Sequence, residues 1–131
     1  MPGVLKTMQY DGRGRGHYLI GGHADENIHA EQIVIKANAG DMVAGTVLGK
    51  VTATGQYAKF NPAAADGTEL AANAVILFAD APNSAATQKS VATVRDHGVN
   101  GNALTWPNTT TTNEKAAVYA AMATRSLMVR F

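Results

Sequence analysis

The feature that most limits what this chain can fold into is the shortness of its apolar segments. The longest, AVILFA at residues 74–79, has the length of a buried β-strand and falls far below the roughly 20 apolar residues of a membrane-spanning helix. Further β-branched segments lie at residues 32–36 and 43–54, and turn signals containing Gly, Asn and Asp separate them. The pattern predicts a domain built mainly from short β-strands and gives no indication of a membrane partner.

Three more segments complete the predicted β framework. Residues 57–60 (YAKF) alternate as the second strand of a hairpin should, and residues 90–95 (SVATVR) are predicted to form another strand. Residues 127–131 (LMVRF) are predicted to close the chain as a strand. Residues 97–102 (HGVNGN) consist largely of Gly and Asn, so they are predicted to be rich in turns.

One helix is predicted, near the C-terminus. Thr111 and Glu114 have the spacing of a capping box, although Asn113 is an alternative N-cap residue. The Ala-rich segment that follows carries Tyr119 and Met122 on one side. The predicted fold class is therefore mainly β with one short C-terminal helix (α+β).

The N-terminal part of the chain differs from the rest. Residues 11–16 (DGRGRG) have no hydrophobic period, and their glycines give the backbone high conformational entropy. A short apolar patch, Tyr18-Leu19-Ile20, follows and could add a strand to a partner. The sequence predicts an extended N-terminal arm over residues 1–27 and a compact β-rich domain over residues 28–131.

Composition excludes several functional classes. Lys and Arg number 11 and Asp and Glu number 10, so a formal net charge of +1 argues against nucleic acid or an anionic membrane as the main partner. There is no cysteine, which rules out disulfides, zinc-thiolate sites and thiol nucleophiles. Residues 1–10 show no apolar secretory signal. These features fit a protein made in a reducing cytoplasm.

Several motifs suggest chemistry but have simpler interpretations. His17, His23 and His29 recur every six residues and could face one side of an extended strand, yet a zinc site needs a rigid scaffold, so solvated or partner-contacting histidines are favoured. Arg13 and Arg15 lie between glycines as in some RNA-binding segments, but no basic excess accompanies them. We predict no catalytic residue, no metal ligand and no cofactor.

The order of these features resembles one family. Residues 39–50 (AGDMVAGTVLGK) resemble the opening rGtVLGk pattern of the lambda-type bacteriophage head decoration (capsid cement) proteins. Residues 57–62 followed by Asp66-Gly67-Thr68 resemble the next hairpin and turn, and residues 74–80 resemble the central apolar strand. Leu104-Thr105-Trp106-Pro107, the Thr- and Asn-rich loop, the helix and the last strand resemble the C-terminal third. The resemblance covers residues 28–131 in order.

This resemblance implies a structural virion protein. It implies a compact β-clip-like domain that forms a homotrimer on the outer capsid surface, at three-fold and local three-fold positions, and stabilises the expanded head. The major capsid protein would be the partner, and an N-terminal arm would add a strand to it. The protein would be made in the cytoplasm of the bacterial host and would not act as an enzyme.

Two groups of residues are candidates for these contacts. The capsid-binding residues of the arm are predicted to be Tyr10, Arg13, Arg15, Tyr18, Leu19 and Ile20, with the arginines meeting acidic groups. The residues predicted to pack in the core or in the trimer are Val47, Leu48, Trp106, Tyr119 and Met122. An alternative function is a phage-surface module that binds a host surface or carbohydrate through the exposed Asn- and Thr-rich loops; a small hydrolase has less support.

Overall fold

The structure is a computed structural model, and it describes residues 14–20, 29–107 and 110–131. Within these residues the chain forms eight β-strands and one α-helix. The elements are β1 (Leu19–Ile20), β2 (Ala30–Ile35), β3 (Val47–Lys50), β4 (Tyr57–Lys59), β5 (Val75–Leu77), β6 (Gln88–Thr93), β7 (His97–Asn100), α1 (Thr112–Ala123) and β8 (Leu127–Arg130). Two single-turn 3-10 helices lie at Ala71–Asn73 and Gly101–Ala103. The prediction of a mainly β fold with one short C-terminal helix is confirmed.

Five strands close into a barrel in the order β2-β4-β3-β5-β6. Its interior is filled by apolar side chains from opposite walls: Ile33, Ile35, Met42, Leu48, Val75, Leu77, Ala81 and Ala92. The strand β5 is continuously apolar because both of its faces are covered. Val75 and Leu77 point into the barrel, whereas Ile76 points to a second core outside it.

The second core lies between the barrel wall and a layer made of α1 and a three-stranded sheet. That sheet has the strand order β1-β7-β8, with β7 antiparallel to β1 and parallel to β8. The buried members of this core are Tyr18, Val47, Phe60, Ala74, Ile76, Val99, Val118, Met122 and Leu127. The two cores share one barrel wall, so the described residues pack as one domain.

Two local predictions were wrong. Residues 97–102 form β7 and a 3-10 turn rather than a turn-rich loop, because β7 pairs with β1 on one side and β8 on the other. Partners distant in sequence thus override the turn preference of Gly and Asn. Of the predicted long strand over residues 43–54, only β3 forms a strand, with Thr46 adding an isolated bridge to Thr105, since Gly45 adopts a positive φ of 92° and the backbone turns there.

The capping box at the start of α1 is confirmed. The Thr111 hydroxyl accepts a hydrogen bond from the Glu114 backbone N–H at 3.2 Å, and the Glu114 carboxylate accepts one from the Thr111 backbone N–H at 2.7 Å. The alternative N-cap residue, Asn113, lies inside the helix. The spacing of Thr111 and Glu114 therefore specified the helix start correctly.

Replacing Thr111 with alanine is expected to lower the free energy of unfolding by about 1 kcal/mol, because an N-cap acceptor is lost. Urea denaturation followed by circular dichroism measures this difference. Thr112→Ala is the matched control, because Thr112 is an exposed neighbour in the first turn, and it should change stability by less than about 0.5 kcal/mol. Equal effects of the two changes would contradict the capping role.

Candidate functional site

The six residues predicted to bind the capsid fall into different environments. Tyr10 and Arg13 lie outside the described residues. Arg15 is exposed in the turn before β1. Tyr18 is fully buried, Leu19 packs partly buried against the same core, and Ile20 is exposed. The structure thus separates residues that the sequence grouped as one apolar patch.

The side chain of Tyr18 lies in the core outside the barrel. Its hydroxyl is 2.7 Å from the Thr93 hydroxyl, and it donates a longer hydrogen bond of 3.4 Å to the Ile76 carbonyl. Burial raises the pKa of Tyr18 well above its usual value, with the hydrogen bond to Thr93 acting in the opposite direction. Its backbone carbonyl also accepts a hydrogen bond from Asn100 in β7. Residues 14–20 are therefore packed on the domain that follows them.

His17 and His29, two of the three regularly spaced histidines, lie in different surroundings. The ring nitrogens of His17 lie within hydrogen-bonding distance of the Gly14 and Ala103 carbonyls, at 3.0 and 3.2 Å. His29 is buried, and its ring stands edge-on to that of His97 with centroids 5.0 Å apart. His23 lies outside the described residues. Among the residues that the structure describes, no group of three or more His, Asp or Glu side chains could hold a metal ion.

The residues predicted to pack in the core or trimer are located as follows. Val47 and Met122 are buried in the core outside the barrel, and Leu48 is buried inside the barrel. Trp106 and Tyr119 are half-buried, with ring centroids 5.7 Å apart and nearly perpendicular ring planes. Whether any of these five side chains contacts another subunit stays a prediction.

An aromatic row joins the barrel to the C-terminal strand. Phe60 contacts Trp106, Trp106 contacts Tyr119, and Tyr119 contacts Phe131, with centroid distances of 6.2, 5.7 and 5.4 Å. Each pair is edge-to-face, the arrangement that aromatic quadrupoles favour. Lys115 places its ammonium group 5.7 Å from the Trp106 ring centroid. Trp106 thus packs against Phe60, Tyr119 and Lys115 and remains half-buried.

The sheet β1-β7-β8 has two chemically distinct faces. The cross-strand row Leu19–Val99–Val129 faces the core, as expected for alternate residues of neighbouring strands. The next row, Ile20–Gly98–Met128, therefore faces away from the core. Ile20 is 37% exposed and Met128 is 44% exposed. An apolar row thus lies open on the outer face of this sheet.

Sequence reasoning missed Gly98 and Met128 as members of a surface. The alternation of residues 127–130 signals which side chains share a face of β8. The strand that lies next to β8 cannot be predicted from the local sequence, because that strand, β7, has a sequence typical of a turn. The row exists only once β1, β7 and β8 are placed side by side.

The fold and its surface define a small, mainly β structural module, with a packed barrel, one short helix and an apolar row open on one sheet. The chain belongs to the bacteriophage lambda head decoration protein D family, whose family model matches residues 8–127. It is therefore a phage head decoration protein, with a structural role on the virion capsid. A comparison with curated proteins finds no significant match. In the part of the chain that the structure describes, no helix has both the length and the apolarity to cross a bilayer.

Proposed function

We propose that this protein is a homotrimeric cement subunit that binds the major capsid protein on the outer surface of the head. It sits at the three-fold and local three-fold positions and stabilises the expanded shell against the pressure of packaged DNA. The observation that carries the proposal is the family match, which extends over residues 8–127 of a 131-residue chain. The near-neutral charge supports an outer position, since contact with packaged DNA would favour a basic surface.

The proposed attachment element is the segment before Gly14. Residues 14–20 already pack on the domain, so we take residues 1–13, with Tyr10 and Arg13, as the part of the chain that adds a strand to the shell protein. A segment of this kind can bind by forming a strand along an edge of the shell protein. Ordering the backbone costs about 1–2 kcal/mol per residue, which limits the affinity of a single segment.

Trimerisation is part of the proposed mechanism because it multiplies weak contacts. Three segments carried on one trimer bind as linked events, and linkage of this kind strengthens binding by roughly 10²- to 10⁴-fold without any new contact. A trimer that bridges neighbouring shell subunits also resists their separation mechanically. Light scattering on the free protein and on protein eluted from heads measures the oligomeric state directly.

Deleting residues 1–13 is expected to weaken binding to expanded heads by about tenfold or more while leaving the melting temperature nearly unchanged, because no described core residue is removed. Co-sedimentation with heads of the encoding phage that lack this protein measures the binding. A full-length variant with residues 1–13 in scrambled order is the matched control for chain length and charge, and it should bind as weakly as the truncation. Full occupancy by the truncated protein would contradict the attachment role.

A further inference from the structure

Two exposed apolar side chains, Ile20 and Met128, lie in register on the two strands that flank β7. Ile20 of β1 pairs with Gly98 of β7, and Gly98 pairs with Met128 of β8. A side chain at Gly98 would collide with β1, since an added Cβ would lie 2.7 Å from the Ile20 carbonyl oxygen and 3.2 Å from Ile20 Cγ1. The glycine leaves no side chain between Ile20 and Met128 on this face, and we call the cross-strand row Ile20, Gly98 and Met128 the strip.

The other large exposed apolar side chains in the described residues have a different arrangement. Val91 lies on β6, Val43 and Leu70 lie in two separate segments between elements, and single exposed apolar residues are normal on a protein surface. Phe131 is exposed but its ring contacts Tyr119, on the helix side of the sheet. The strip formed by Ile20 and Met128 is thus distinguished by its register across three strands rather than by exposure alone.

We propose that this strip is a second, preformed docking surface for the major capsid protein, separate from the segment before Gly14. This inference rests on the proposed function, and it names the surface that meets the shell once the N-terminal segment is bound. The strip would bury against an apolar patch of the shell protein.

We choose the shell protein as the partner that covers the strip because β1 follows the proposed attachment segment directly in the chain. The proposed attachment segment at residues 1–13 leads through one turn directly into β1, the edge strand that carries Ile20. Residues 14–18 are held in place by that turn, in which Leu19 donates a hydrogen bond to the Gly16 carbonyl. A shell surface that engages the residues just before Gly14 would therefore lie close to the sheet β1-β7-β8, within reach of the strip.

A positive charge beside the strip predicts which groups the partner surface carries. Arg130 is exposed and shares the outer face with Met128, two residues before it in β8. Its neighbour in register on β7 is Asn100, whose side-chain oxygen accepts a hydrogen bond from Asn102. The face is thus apolar with a cationic margin, and it fits an apolar shell patch bordered by a carboxylate.

The test is a lysine substitution in the full-length protein, with a control of equal exposure. Met128→Lys is expected to weaken head binding by about tenfold or more, because a charge would be buried against an apolar patch. Leu70→Lys is the matched control, since Leu70 and Met128 are both 44% exposed, and it should bind like the parent protein. Met128→Leu keeps the apolar contact and should also bind like the parent.

Each outcome of the head-binding measurement supports or overturns the proposal. Reduced head binding by Met128→Lys, with the oligomeric state and melting temperature of the free protein unchanged, supports a shell contact. A change in the oligomeric state of free Met128→Lys overturns it, because another copy of the chain then covers the strip. Parent-like head binding by Met128→Lys also overturns it and leaves the proposed function intact. If the unaltered protein fails to bind heads, the proposed function itself fails.

If Met128→Lys does not fold, Ile20→Lys takes its place. Its matched control is Val91→Lys, since Ile20 and Val91 are 37% and 38% exposed. The same binding and light-scattering measurements then apply, with the same outcomes supporting or overturning the proposal.

Discussion

Replacing Tyr18 with alanine is expected to lower the free energy of unfolding by about 3–5 kcal/mol, the usual cost of removing a buried aromatic side chain. The ring is completely buried and belongs to the core formed with Val47, Ile76 and Val99. The change would leave a cavity and also remove the hydrogen-bonding partner of the Thr93 hydroxyl at 2.7 Å. Equilibrium urea denaturation of the full-length protein measures the difference.

Tyr18→Phe separates packing from hydrogen bonding. It keeps the ring and should cost about 1 kcal/mol, the net value of one buried hydrogen bond. Tyr18→Ala with the stability of the parent protein would show that residues 14–20 are not part of the folded domain. That result would also restore the longer arm, residues 1–27, that the sequence alone predicts.

Replacing Arg125 with alanine is expected to lower the free energy of unfolding by about 2–4 kcal/mol, because hydrogen bonds from a charged donor to three carbonyls are lost. Its Nε donates to the Val94 carbonyl at 3.0 Å, and its Nη1 donates to the Ala72 carbonyl at 2.6 Å. Nη2 donates to the Ala74 carbonyl at 2.5 Å. The Arg125 side chain thus connects the turn after α1 by hydrogen bonds to the 3-10 helix and the residue after it, and to the segment after β6.

Arg125→Lys tests whether the planar fork of donors is needed. The ammonium group keeps the charge but cannot satisfy three separated carbonyls at once, so most of the loss should persist. Arg130→Ala is the control, since Arg130 is exposed and its removal should change stability by less than about 0.5 kcal/mol. A lysine variant as stable as the parent would mean that charge, rather than the three-way geometry, matters at position 125. Burial lowers the pKa of Arg125, which agrees with a guanidinium enclosed by backbone.

The two stability predictions bear on the capsid-binding mechanism. If Tyr18 anchors β1, as the structure indicates, then β1 is a fixed edge strand, and the attachment segment that we propose lies before it. Ile20 is then held at a defined place on the outer face of the sheet, opposite Gly98. A rigid docking face beside an attachment segment loses less entropy on binding than a long unstructured arm does.

Local chemistry made several features predictable from the sequence. The capping box of Thr111 and Glu114 marks the helix start, because each group satisfies a backbone amide within the same turn. The apolar segment at residues 74–79 predicted a buried strand, and all three residues of β5 are buried. The order of such elements along the chain was enough to indicate the family, which the match over residues 8–127 confirms.

The sequence by itself thus determined the fold class, the helix start and the family, because each depends on local patterns and on their order along the chain. The tertiary structure alone decided that Tyr18 belongs to the domain and that β7 is a strand rather than a turn. It also decided that Ile20 and Met128 share one face, although they lie at opposite ends of the chain. Those features depend on strand pairing between distant segments, and the free energy of that pairing comes from a core that no local pattern encodes.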